Sequence, residues 1–439
     1  MVAPGDTHAR QTPASAGPDD PAMSLRSHTA LLSDPAAIRR QFPLLTREGL
    51  HYLDSAATAQ MPEAVIAALQ KFGTSLRANV YGGVYKLAQE ALAEYEAARA
   101  DVARFLGAVS PQEVVFTYGT TSSLNLLSHS FGERLREGDE IVLSILEHHS
   151  NTLPWRALAR RRRANIRVLP MTPDGRLDLA PLPELVTSRC RIIAVTHCSN
   201  VTGALTDPAS IVAAARAVGA AVVLDGAQRA PHGPLNVQNL GVDFYAFSGH
   251  KTFGPTGIGV LWGRGEILES MPPFMVGGQM IRRVSQDAAE FADPPRRFEA
   301  GTPPIGAAIG LGAAIHWMER LDWEAISEHE RRLTGRLLDA LASLKRVRIV
   351  GPVTTQQRRG VVSFTVSGMR SEDVCRGLDA YGLALRHGHH CAQPLMLALG
   401  IEGTARASLA PYTTEEDINQ LVAGLAEIAG QRDRDRPYF

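Results

Sequence analysis

The chain has 439 residues, 45% apolar and 21% charged, the balance of an ordinary globular protein, and its 45 Lys and Arg are matched by 45 Asp and Glu. A formal charge of zero excludes a bulk electrostatic pull toward nucleic acid or an anionic membrane, and no run reaches the ~18 consecutive apolar residues of a membrane span. Cys190, Cys198, Cys375 and Cys391 form no CxxC pair and are too few for a disulfide scaffold, so reduced thiols and a cytoplasmic setting are expected.

Residues 1–22, rich in Pro, Ala, Asp, Thr and Gly without an apolar core, read as a disordered tail rather than a signal peptide, with Met23 as an alternative start. Strands are predicted at 113–117, 140–144, 166–170, 192–196, 221–225, 244–248 and 257–262, and helices at 62–75, 88–105, 122–130, 154–163 and 208–218. The run Arg160-Arg161-Arg162-Arg163 reads as the solvated end of a helix. Near residue 312 the pattern changes: a long helical stretch over 312–344, a strand at 361–366, a helix at 371–381, a short strand at 384–386 and a final helix at 415–429. This predicts an α/β chain with a mostly parallel central sheet covered on both faces. A large domain is expected over 46–312, and a smaller α+β domain from 23–45, including the segment 35–42, together with 313–439.

Open α/β sheets bind ligands beyond the carboxyl ends of their strands, and the chemistry-bearing residues follow strands. An apolar run, Val222-Val223-Leu224, leads into Asp225, followed by Gly226-Ala227-Gln228. A buried carboxylate needs a cation, and a protonated pyridine nitrogen is one; a helix cap or a metal ligand is the alternative. Ser248-Gly249-His250-Lys251 lies 26 positions on, after another strand. A lysine there reaches the strand ends, desolvation makes it a usable amine, and Ser248 and His250 offer hydrogen bonds to a phosphate. Together these predict pyridoxal 5′-phosphate (PLP) held as a Schiff base on Lys251. Gly119-Thr120-Thr121 opens a helical pattern and suits the phosphate, or is a plain cap. In Glu147-His148-His149-Ser150-Asn151 an imidazole can stack on the pyridine ring; a metal site lacks further ligands. Asn200 can bond the ring hydroxyl or a substrate carboxylate, or simply sit in a turn. In Arg386-His387-Gly388-His389-His390-Cys391-Ala392-Gln393-Pro394 a cysteine is flanked by imidazoles that can help form its thiolate. Arg406, 15 residues later, suits a carboxylate.

With these residues in hand, the chain resembles class V aminotransferase-fold PLP enzymes, and specifically the group II (SUF-type) cysteine desulfurases, over about residues 35–430. The resemblance rests on Tyr-Leu-Asp-Ser-Ala-Ala-Thr at 52–58, Gly-Thr-Thr at 119–121, Glu-His-His-Ser-Asn at 147–151, Asp-Gly-Ala-Gln at 225–228, Ser-Gly-His-Lys at 248–251, Arg-Phe-Glu-Ala-Gly-Thr-Pro at 297–303, Gly-His-His-Cys-Ala-Gln-Pro at 388–394 and Arg-Ala-Ser-Leu at 406–409. It implies the fold type I PLP-transferase architecture, with a seven-stranded central sheet. It implies Lys251 as the Schiff-base lysine, His148 over the ring, Asp225 at the pyridine nitrogen and Gln228 at the phenolic oxygen. Thr120, Thr121, Ser248 and His250 would hold the phosphate, completed by Thr302 from a second copy in a homodimer. Arg386, Arg406 and Asn200 would bind the substrate carboxylate, and Cys391 would take sulfur from L-cysteine, leave L-alanine, and pass the persulfide to a small acceptor protein. No metal, nucleic acid or membrane is implied. Where the family commonly has Val-His-Arg-Gly-x-His, this chain has Val80-Tyr81-Gly82-Gly83-Val84-Tyr85, and it has His387 in place of a frequent Thr. These departures keep alternatives in view: a selenocysteine lyase, a sulfinate desulfinase, or a specialised biosynthetic lyase or transferase.

Overall fold

A computed structural model describes residues 31–434; the expected tail at 1–22 and Met23 lie outside the described residues. Runs such as Ala221–Asp225 and Phe244–Ser248 are buried at every position and so need cover on both faces. They are two of seven strands: Val114–Thr117 (β1), Glu140–Ser144 (β2), Asn165–Leu169 (β3), Cys190–Thr196 (β4), Ala221–Asp225 (β5), Phe244–Ser248 (β6) and Gly259–Gly263 (β7). They pair in the order β1-β7-β6-β5-β4-β2-β3. β7 runs antiparallel to β1 and β6, and the other pairs are parallel, which is the predicted sheet.

The helices that matter for the site and its support include Pro35–Arg39 (α1), Glu63–Lys71 (α2), Lys86–Leu106 (α3), Thr120–His129 (α4), Leu153–Arg162 (α5), Ala209–Val218 (α6), Ile305–Glu319 (α7) and Trp323–Ser343 (α8). Residues of α2, α3, α6 and α7 share one core with Val222, Leu224, Tyr245 and Phe247 of the sheet, while α4 and α5 pack with Val223, Phe244 and Ala246 on its other face. The single helix predicted over 312–344 is two helices, α7 and α8. The chain turns at Arg320–Asp322, and Asp322 caps α8 by accepting the Ala325 N–H at 3.1 Å. Periodicity missed the break because α7 is buried on nearly all sides and carries no polar face to show its period. The expected division at residue 312 falls inside α7, whose Gly312 lets the helix meet α3 so closely that a Cβ there would stand 2.9 Å from the Ala98 Cβ. We propose the turn at 320–322 as the division instead.

A second sheet follows, of Val347–Val350 (β8), Val361–Val366 (β9), Arg386–Gly388 (β10) and Thr404–Ser408 (β11), in the antiparallel order β8-β9-β11-β10. Behind it lie α8, Ser371–Asp379 (α9) and Glu415–Arg434 (α11), with Leu333, Leu337, Leu378 and Leu421 in one core, while Gln393–Leu399 (α10) joins β10 to β11. The segment expected to side with this smaller unit bridges both. Arg39 donates to Tyr412 O at 3.0 Å and to Asp417 Oδ2 at 3.1 Å, yet Phe42 packs edge-on against Phe253 and Trp317 of the large core. No helix among the described residues is long and apolar enough to cross a membrane.

Candidate active site

β4, β5 and β6 end in Thr196, Asp225 and Ser248, and the turn after β2 carries His148. These ends meet β10, β11 and the loop before α10 around a cavity of about 290 Å3. The cavity is lined by every residue predicted for the site except one: Thr120, Thr121, His148, Asn200, Asp225, Gln228, Ser248, His250, Lys251, Arg386, Cys391 and Arg406. The exception is Thr302, which is exposed and does not line it. Within one chain Thr302 therefore has no part in the site.

Asp225 is 4% exposed, and among the described residues its carboxylate accepts one hydrogen bond, from the Ala227 N–H, 3.0 Å from Oδ1. Burial pushes its carboxyl above the usual range, and Lys251 pulls the other way. Such a group is built to meet a cation from outside the chain. Lys251 closes the short turn Gly249–Lys251 after β6. Burial lowers its amine, Asp225 opposes that shift, and the Arg406 charge adds to it. That condition suits a lysine that must be a free amine to react. His148 is pushed down to about 4 by burial and then by the charge of Lys251. Its Nδ1 accepts the Ser150 N–H at 3.0 Å, which leaves the proton of the neutral ring on Nε2.

At the other end of the cavity Thr120, the first residue of α4, donates its N–H to Ser248 Oγ at 2.8 Å, and the two hydroxyls stand 2.7 Å apart. Gly259 makes this closeness possible: a Cβ there would stand 2.3 Å from the Gly119 Cα. His250 Nδ1 lies 3.1 Å from Thr58 Oγ1, and burial lowers its ring to about 4. Hydroxyls and a helix N-terminus facing the cavity suit a phosphate, as PLP carries. The buried carboxyl, the amine and this phosphate end therefore fit PLP. Among the described residues no group of three or more His, Cys, Asp and Glu is placed to hold a metal ion.

The substrate side differs from expectation in its wiring. Asn200 Nδ2 donates to His390 O at 2.7 Å, and Asn200 O accepts from Arg406 Nη1 at 3.0 Å, so Asn200 ties the thiol loop to β11. Gln228 Nε2 donates to Ala56 O at 2.8 Å. Arg406 is 3% exposed and its Nε has no partner, an unmet donor that a carboxylate would satisfy. Asp54 holds Arg386 at 2.6 Å and Arg406 at 3.5 Å. Asp54 lies within the 52–58 motif, where the sequence alone does not show this role.

Cys391 is exposed, and both it and His390 have left-handed backbones, φ 55° and 49°. The flanking imidazoles do not serve the thiol as expected. His389 Nδ1 accepts the Cys391 N–H at 3.0 Å, and His390 Nε2 turns away to Thr404 Oγ1 at 2.8 Å. The reason is the turn itself, whose backbone N–H needs an acceptor. The cations whose fields include Cys391 are Lys251 and Arg406. The loop is held from β2's side by His149, whose N–H donates to Cys391 O at 2.7 Å.

Glu147 is a further residue whose place the sequence did not show. It is 2% exposed and accepts from Thr196 N at 2.9 Å and Asn151 Nδ2 at 2.6 Å, and burial pushes it up to about 8. It fixes the turn that presents His148.

The Aminotransferase class-V family matches residues 51–421. The chain is 45% identical over 407 residues to a probable cysteine desulfurase of Streptomyces coelicolor, covering 90% of this chain and 97% of that protein. It is 46% identical over 397 residues to a cysteine desulfurase of Serratia proteamaculans, covering 89% and 97%. Among solved structures it is similar to the cysteine desulfurase CsdA of Escherichia coli, with a TM-score of 0.85, 42% identity and coverage of 91% and 99%. It is also similar to the apo cysteine desulfurase of Thermococcus onnurineus, with a TM-score of 0.88, 39% identity and coverage of 92% and 100%.

Proposed function

The chain belongs to the class-V aminotransferase family, and on that basis we propose that it is a PLP-dependent cysteine desulfurase, converting L-cysteine to L-alanine while Cys391 takes the sulfur as a persulfide. The observation that carries this reading is one cavity holding the Lys251 amine, the buried Asp225 carboxyl and the exposed thiol of Cys391.

Lys251 would hold the cofactor, Asp225 its pyridine nitrogen, and His148 its ring. Thr120, Thr121, Ser248 and His250 would take its phosphate, with Gln228 at its phenolic oxygen. When bound, PLP withdraws electrons from the substrate α-carbon. Arg406, helped by Arg386 and Asn200, binds the substrate carboxylate and so orients the α-proton. Lys251, whose amine burial lowers, takes that proton. The Cys391 thiolate, facing Lys251 and Arg406, attacks the substrate sulfur. An S–S bond forms at Cys391 as the carbon–sulfur bond breaks, and a proton delivered to the substrate carbon completes alanine.

The active assembly is read as a homodimer, in which Thr302 of a second copy reaches the phosphate; its exposure in the single chain supports this. A small acceptor protein receives the sulfur, and the setting is the cytoplasm, where four free thiols stay reduced. The test is to give the holoenzyme L-cysteine with dithiothreitol. Equal amounts of alanine and sulfide are expected, both lost in Lys251→Ala and in Cys391→Ala. Full turnover in Cys391→Ala overturns the reading.

A further inference from the structure

The persulfide reading leaves open what meets Cys391 from outside, and one helix leads away from it. α5 begins two residues after the His149–Asn151 turn, which is bonded to the thiol loop through the His149 N–H and Cys391 O at 2.7 Å. The first residue of α5, Leu153, is 58% exposed. At helical spacing Arg156 and Arg160 follow on the same face, both exposed. From Leu153 to Arg160 is roughly 10 Å along the axis.

The arginines of this run fall into two groups. Arg161 donates to Ser128 O at 3.3 Å, Arg162 pairs with Glu133, and Arg163 pairs with Glu137 at 3.1 Å. Those fit the solvated helix end expected from sequence. Arg156 and Arg160 have no ion pair or side-chain hydrogen bond among the described residues. They rim a concavity of about 640 Å3 whose floor includes Ile166 and Val168 of the edge strand β3. In a chain of zero formal charge, this is a local positive track beside exposed apolar groups, on the helix that follows the turn bonded to the thiol loop.

We infer that the exposed face of α5 is the docking surface for an acidic protein acceptor, with Leu153 at the end of the helix that follows the turn bonded to the thiol loop, and Arg156 and Arg160 meeting carboxylates. This rests on the persulfide reading above. The transfer balances without a further reagent. The acceptor's thiolate attacks the outer sulfur of the Cys391 persulfide, its S–S bond forms as the bond to Cys391 breaks, and Cys391 leaves as thiolate. Charge complementarity of this kind acts mainly on the encounter rate and is weakened by salt.

The experiment loads Cys391 of the holoenzyme with cysteine. The persulfide is then discharged with synthetic peptides that carry one cysteine followed by glutamates, lysines, or glycine and serine. The glutamate peptide should discharge it about tenfold faster than the lysine peptide at low ionic strength, with the gap closing as salt rises. Arg156→Glu with Arg160→Glu should erase the preference and leave the dithiothreitol-driven alanine yield unchanged. Arg156→Gln with Arg160→Gln should give an intermediate preference. Equal rates with the two charged peptides, or a preference that survives the charge reversal, overturns the inference. So does tighter binding of a thiol-free oligonucleotide than of polyglutamate, and so does a changed oligomeric state in the reversed variant. A holoenzyme that yields no alanine at all would instead sink the desulfurase reading.

Discussion

Arg386 and Arg406 stand directly opposite each other on neighbouring antiparallel strands, and Asp54 is the carboxylate that both guanidiniums reach. Like charges in register repel, so Asp54 is what lets the site hold two cations for a substrate carboxylate. Arg406 is buried, which lowers its guanidinium to about 10, while Asp54 works against that shift.

Asp54→Asn keeps the volume and removes the charge. A fully buried pair broken on one side costs about 3–5 kcal/mol. Arg386 is half exposed and screened, so a loss of about 2 kcal/mol is expected in urea unfolding of the apoprotein. The KM for cysteine should rise about tenfold, corresponding to roughly 1.4 kcal/mol of lost binding. Arg386→Gln should do less in both measurements. Unchanged stability together with an unchanged KM would refute the shared role of Asp54.

Asp225 is expected to hurt the apoprotein and serve the holoenzyme. Its carboxyl is buried with one hydrogen bond. Asp225→Asn should raise the melting temperature of the apoprotein at neutral pH and lower kcat by at least about 100-fold, the range of a lost proton-handling group. A stabilised variant with normal kcat would remove Asp225 from the cofactor.

Burial lowers His148 and His250 to about 4, and His197 and His390 to about 3. The unfolded chain takes up protons on these rings near pH 6.5, and the folded chain resists until pH falls to about 4 or below. Stability should therefore fall as pH drops from about 6.5 toward 4, by up to about 1.4 kcal/mol per pH unit for each ring. Denaturant midpoints measured across that range check the slope, and His197→Gln should make it shallower. A flat profile there contradicts the buried neutral rings.

Arg99 holds Glu299 at 2.7 and 2.9 Å, and Glu299 also accepts the Phe116 N–H at 2.7 Å. Both side chains are nearly inaccessible. Arg99→Met should destabilise the protein by about 3–5 kcal/mol, because it leaves a buried carboxylate unpaired. Adding Glu299→Gln should recover part of the loss, since no charge is then stranded. A double variant as unstable as the sum of the singles would argue against coupling.

What the sequence made legible was local. The strands ending in Asp225 and Ser248 are continuous apolar runs punctuated by chemistry, and Lys251 follows within a turn, so the centre of the site could be read from a few residues at a time. The parts it hid depend on residues far apart in the chain. Asp54 meets Arg386 across 332 positions, and Arg99 meets Glu299 across 200. No spacing rule links such pairs. His389 looks like a partner for the thiol because it is two positions away in sequence, but the left-handed turn at Cys391 uses that ring for its own backbone. Thr302 belongs to the site only if a second copy supplies it, and in one chain that shows only as its exposure.

The destination of the sulfur is the most direct mark of the chemistry at Cys391. Holoenzyme given one equivalent of L-cysteine without reductant, then digested and weighed peptide by peptide, should carry one extra sulfur atom on Cys391 and release an equal amount of alanine. Alanine released with no sulfur on Cys391, or with the sulfur on Cys190, Cys198 or Cys375, would contradict it.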